Sequence, residues 1–96
     1  MLNAFKYIME CYFYQDWQSE FSQEKEVLVF FAKKENLEIV NNVISDIKVV
    51  LENDLSEKIF QDNNFDFDPL LEGYNTEKEW FEYAYELLTD EISKRK

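Results

Sequence analysis

The 96-residue chain has no histidine, one cysteine, one proline and one glycine, and each scarcity removes a class of function. Without histidine there is no serine–histidine or cysteine–histidine dyad. A lone thiol, Cys11, supplies neither a thiolate–imidazole zinc site nor an internal disulfide. Such a chain suits a reducing compartment, and cytoplasmic residence is expected. Phosphate-cradling loops need several glycines to bring backbone amides against an anion. Gly73 stands alone, so neither a P-loop nor a dinucleotide fingerprint fits, and no cofactor is expected. Long apolar runs are also missing. The longest spans residues 27–32, and the N-terminal stretch is interrupted by Lys6 and Glu10, so no signal peptide or membrane span is expected.

What is present is acid and aromatic. Twenty-one acidic side chains against 10 basic ones leave a formal charge of −11, yet 46% of residues are apolar, with 2 Trp, 6 Tyr and 9 Phe. That is too much apolar and aromatic content for a disordered polyelectrolyte, so the chain is expected to fold as a single domain over residues 1–96. A domain of this size buries only roughly 60–65% of its unfolded surface, so every large apolar residue matters.

With so few turn residues, helices are the first periodicity to test. Leu2, Phe5, Ile8, Met9, Tyr12 and Phe13 share one stripe of a first helix. Leu37, Val40, Ile44, Ile47 and Leu51 follow an alternating 3–4 repeat broadened by Val43 and Val50, with Asn36 as N-cap. Asp54 with Glu57 resembles a capping box opening a short helix that carries Leu55, Ile59 and Phe60. Thr76 with Glu79 opens a last helix bearing Trp80, Phe81, Ala84, Leu87, Leu88 and Ile92 and ending in Lys94, Arg95 and Lys96, cations that suit its negative end. The run at residues 27–32 has no polar gap and fits a buried strand as well as a helix. No second strand-like run exists to pair with it, while Ser22 offers a cap, Glu24 and Glu26 an acidic first turn, and Lys33 and Lys34 a basic last turn. A helix is expected there. Residues 15–21 and 63–75 remain as loops, the second packed down by Phe65, Phe67 and Tyr74. The expected fold is all-α, a small bundle of four to five helices.

Few constellations could carry chemistry. Asp62, Asn64, Asp66 and Asp68 alternate like a calcium loop, but the glycine at position 6 and glutamate at position 12 are missing in either register. No metal site is expected. Carboxylate pairs are inevitable among so many acids and are no evidence of glycosidase chemistry, which needs a deep cleft. An enzyme is not expected. Cys11, among aromatics and without a basic neighbour, reads as a small buried hydrophobe.

Charge distribution says more. Residues 62–91 hold ten acids and one base, Lys78, for a local charge of −9. At about 100° per residue, Glu79, Glu82, Glu86 and Asp90 fall within an arc of roughly 80°, opposite the apolar arc of the last helix. Like charges at i and i+4 destabilise a helix by a few tenths of a kcal/mol each, so such a ridge invites a use beyond solubility. Tyr83 and Tyr85 flank it. A chain at −11 repels nucleic acid and anionic lipid and accelerates encounter with a basic protein, so neither direct nucleic-acid binding nor membrane binding is expected.

The hexapeptide Tyr12-Phe13-Tyr14-Gln15-Asp16-Trp17 resembles the YFxQDW signature of immunity proteins from bacterial contact-dependent growth inhibition systems. Farther along, Phe65-Asp66-Phe67-Asp68-Pro69, then Gly73-Tyr74, then Glu79-Trp80-Phe81 is similar in order and spacing to that family's acidic aromatic loop, glycine and tryptophan-bearing last helix. Tyr14 stands where family members often carry histidine. The resemblance implies a small cytosolic protein that binds and blocks the C-terminal toxin domain of an incoming effector, commonly a nuclease. The sequence does not fix the oligomeric state, and a monomer in a 1:1 complex is the favoured expectation. The signature itself reads as structural, with Trp17 plugging the core and Asp16 capping or bonding within a turn. Asp66, Asp68, Glu79, Glu82, Glu86 and Asp90, with Tyr83 as anchor, are the expected toxin contacts. The competing expectation is an acidic intracellular adaptor or DNA-mimic regulator that turns the same face toward a basic host protein.

Overall fold

Apolar spacing resolves into helices throughout. The computed structural model describes residues 2–95, and among these there is no strand. The order is α1 (Asn3–Cys11), α2 (Trp17–Glu20), α3 (Glu24–Lys34), α4 (Leu37–Glu52), α5 (Ser56–Asp62), a 3-10 turn (Pro69–Glu72) and α6 (Glu77–Lys94). The all-α expectation therefore holds, with five helices of seven or more residues and one single-turn helix. Helix α6 is the centre, packing most extensively on α3 and α4, while α1 lies on α4 and α5 on α6.

The ambiguous apolar run is helical. Val27, Leu28, Phe31 and Ala32 of α3 are buried, Phe30 looks outward, and Glu26 closes a capping box by accepting from the backbone N–H of Ser22 and Gln23 at 2.8 and 2.9 Å. Gln23 and not Ser22 is the N-cap. Asn36 caps α4 as expected, its side-chain oxygen accepting from Ile39 N–H at 2.9 Å. The buried stripe of α4 is Val40, Val43, Ile47 and Val50, so the residues that broaden the sequence pattern are its centre, and Leu37 is exposed. The box expected at Asp54 is absent. Asp54 takes a left-handed φ of 54°, and Leu55 stands at the N-cap of α5 without a side-chain bond.

Tyr12 and Phe13 lie past the end of α1 rather than on it, because the helix stops at Cys11, but both rings are buried. Cys11 is exposed, a correction to the expectation of burial. It lies about 110° around α1 from the centre of the buried stripe formed by Phe5, Ile8 and Met9. Both expected loops contain a turn of helix, α2 in the first and the 3-10 turn in the second. Each turn satisfies backbone groups that a buried loop would leave bare.

The core is a mesh of aromatic rings. Phe5 meets Phe60, Phe65, Trp80 and Phe81 at centroid distances of 6.5, 6.0, 6.3 and 5.2 Å. Phe13 lies 5.7 Å from Trp17, 4.5 Å from Phe67 and 6.0 Å from Trp80. The hexapeptide and the downstream aromatic pattern, far apart in sequence, thus join in one cluster.

Two long-range bonds lock helix ends. The Asp46 carboxylate on α4 accepts from Phe5 N–H at 3.0 Å, placing an anion at the positive end of α1. Arg95 donates from Nη1 to the carbonyls of Ala32 and Glu35 at 2.8 and 2.9 Å, satisfying the exposed carbonyl end of α3. The expectation that the terminal cations would serve their own helix end holds only in part, since Lys94 bonds Glu91 at 3.1 Å whereas Arg95 serves α3; Lys96 lies outside the described residues.

Candidate functional site

The N-terminus of α6 sets the azimuth of everything after it. Thr76 Oγ1 accepts from Glu79 N–H at 3.2 Å, and Glu79 Oε1 accepts in return from Asn75 N–H at 3.3 Å, one residue earlier than a strict capping box requires. With Trp80, Phe81, Ala84, Leu88 and Glu91 turned to the core, Glu79, Glu82, Glu86 and Asp90 all project into solvent. Asp90 pairs with Lys94 at 3.4 Å. Glu82 and Glu86 have no ion pair among the described residues. The middle of the ridge is therefore open negative charge in a position to be read by a partner.

The two loop acids are placed differently. Asp66 is exposed, and Asp68 caps the 3-10 turn, its Oδ1 accepting from Leu70 N–H at 3.0 Å. Asp68 shares a small hollow with Glu77, the first residue of α6, which lies about half a turn around the helix from Glu86. Asp68 and the mid-ridge acids are therefore not one continuous cluster.

On the other flank the structure adds residues that spacing did not reveal. Tyr83 is half-buried with its ring 6.2 Å from that of Tyr74, and the Tyr74 hydroxyl donates to Glu24 of α3 at 2.7 Å. Burial, followed by that hydrogen bond, pushes the Tyr74 phenol far up, and burial with the charge of Glu24 raises Tyr83, so both remain protonated donors. Glu24 reads from sequence only as a first-turn acid, and its partner is 50 residues away. Beside them the 3-10 turn exposes Leu70 and, at 82% accessibility, Leu71, an apolar tip between acids. The only sequence cue to it is a Pro-Leu-Leu tripeptide behind a capping aspartate.

Glu72 completes this flank. Burial, and then the charge of Glu24, raise its carboxyl above the ordinary range. The folded chain holds this proton more tightly than the unfolded chain, so the site's contribution is most favourable at low pH and declines as pH rises past the ordinary glutamate value. Glu72→Gln should raise the melting temperature at pH 7 by of the order of a degree and reduce the gain seen on acidifying toward about pH 5, as read by thermal melts at both values.

The signature residues differ in placement. Tyr12, Phe13 and Trp17 are buried in the core. Gln15 and Asp16 are exposed, and the Asp16 side chain makes no cap; its backbone carbonyl accepts from Ser19 Oγ at 2.7 Å. Among the described residues no group of three or more acids or cysteines is arranged to hold a metal ion, and no helix is long and apolar enough to cross a membrane.

Two comparisons bear on this arrangement. The family model described as CdiI immunity protein matches residues 1–88. One chain of the crystal structure of a CdiA-CT/CdiI complex from Y. kristensenii 33638 superposes with a TM-score of 0.77 at 22% identity, covering 88% of this chain and 95% of that one. Among curated proteins, no relative matches.

Proposed function

The chain belongs to the CdiI immunity protein family, and from that premise we propose that it binds and neutralises the C-terminal toxin domain of a cognate contact-dependent growth inhibition effector, a basic nuclease, through the acidic outer face of α6. The observation that carries the proposal is the exposed pair Glu82 and Glu86, one helical turn apart and without an ion-pair partner among the described residues. A nuclease cleft is built to receive phosphates, and carboxylates on a rigid helix present the same charge to the same arginines and lysines. Asp66, Glu79 and Asp90 add further negative charge, Asp68 is a separate acid beside Glu77 that the toxin would meet apart from the mid-ridge pair, and Tyr83 and Leu71 supply the apolar contact that a purely ionic interface lacks. The protein acts in the cytoplasm as a monomer in a 1:1 complex. A standard interface buries about 800 Å² per partner, a minor part of the 5874 Å² surface of this chain.

The test is reconstitution. The neighbouring effector's C-terminal domain, purified and assayed on nucleic acid, should lose its activity when one equivalent of this chain is added and regain it as salt is raised. Cleavage that continues undiminished with the chain in excess would contradict the proposal.

A further inference from the structure

A second concave surface, with no α6 residue in its lining, lies where the end of α1 and the α1–α2 connection face α3. It is an open groove of about 670 Å³ lined by the rings of Tyr7, Tyr12, Tyr14, Phe21 and Phe30, together with Glu20, Glu35, Lys34 and the exposed Cys11. Tyr7 and Phe30 are 38% and 42% accessible, two of the few large apolar side chains left facing water.

The polar groups in this groove are ordered. The hydroxyls of Tyr7 and Tyr12 both donate to Glu35 Oε1, at 3.2 and 2.8 Å, so one carboxylate fixes one ring on α1 and another just past its end. The neighbouring Glu20 carboxylate raises the Tyr14 phenol above its ordinary value. At the rim Lys34 holds its ammonium 5.2 Å from the centre of the Phe30 ring, so the chain already uses one of these rings to bind a cation. Counting Glu20 and Glu35 against Lys34, the groove stays net negative.

Resting on the immunity reading above, we propose that this groove is a second contact with the toxin domain and receives one of its basic side chains, an arginine or lysine laid across the rings with its charge toward Glu20 and Glu35. The chemistry discriminates among occupants. An anion is repelled by the carboxylates and by a chain at −11. A purely apolar group would strip water from Glu20 and Glu35 without replacing its hydrogen bonds. A second copy of this chain would bring two surfaces of the same sign together. A guanidinium or ammonium satisfies the ring faces and the carboxylates at once.

Cys11, the only thiol in the chain, is a built-in reporter because it lines the groove and is exposed. Alkylation of the wild-type chain by N-ethylmaleimide, followed by intact-mass spectrometry alone and in the purified toxin complex, should slow by at least about tenfold in the complex, because interface contacts exclude solvent and reagent from the thiol. An unchanged rate in a complex that stays assembled on a sizing column overturns the groove and leaves the α6 proposal standing. In a second arm, Tyr14→Ala with Glu20→Lys should lower affinity about tenfold or more with helical circular dichroism retained, whereas Glu38→Lys on α4 should not. Wild-type affinity in the Tyr14/Glu20 variant likewise overturns the groove. Failure of the wild-type chain to bind the toxin domain at all would instead remove the immunity reading on which the groove depends.

Discussion

Glu82→Lys combined with Glu86→Lys is expected to weaken binding to the toxin domain by about a hundredfold at low salt, equivalent to about 2.7 kcal/mol, and to abolish growth protection. Each reversal adds two charges, taking the formal charge from −11 to −7 and placing like charge against a basic surface at the centre of the ridge. Juxtaposed like charges across an interface cost several kcal/mol, and loss of complementary fields slows association as well. Folding should not suffer. Both side chains are exposed and free of ion pairs among the described residues, and the lysine introduced at position 86 would sit four residues before Asp90, an attractive spacing where the native chain has a repulsive one. Calorimetric titration against the toxin domain, paired with a thermal melt, separates the two effects. Native affinity with a normal melt would move the contact surface elsewhere.

Phe5→Ala should produce the largest loss of stability, about 3–5 kcal/mol. Phe5 is fully buried and touches rings contributed by α5, the 63–75 segment and α6, so its removal opens a cavity where those elements meet. Edge-on aromatic contacts are worth about 0.5–1.5 kcal/mol each beyond area burial, and a rigid α1 whose N-terminus is tied to Asp46 cannot move in to fill the gap. For a domain of this length each kcal/mol moves the midpoint by about 4–8 °C, so a fall of roughly 12–40 °C is expected in a circular dichroism melt. A shift of only a few degrees would show that the other rings hold the cluster without it.

Helix existence is legible because its signals are local. Asn36 and Thr76 are caps three residues from their donors, and the apolar stripes repeat within a turn. The 27–32 run is undecidable by periodicity, and what settles it is a global fact, the lack of any partner strand. Cys11 departs from expectation because apolar neighbours in sequence do not bury a residue whose azimuth on the helix lies off the buried stripe. The Ser22 and Asp54 caps fail for a related reason, since several side chains compete for each helix start and the winner depends on how the preceding chain enters. The surface is harder still. The acidic ridge follows from helical spacing alone, but the Tyr74–Glu24 bond, the raised Glu72 and the Tyr7–Glu35–Tyr12 bridge join residues 23 or more apart or depend on burial. No local pattern encodes them.

Carbodiimide-driven amidation of carboxylates, mapped by peptide mass spectrometry on the wild-type chain alone and in the toxin complex, reads the proposed surface residue by residue. Glu79, Glu82, Glu86 and Asp90 should lose most of their labelling in the complex, while the exposed Glu38 and Glu52 of α4 continue to react at the free rate. Equal labelling of the four α6 carboxylates in free and bound chain would contradict the assignment of that face to toxin neutralisation.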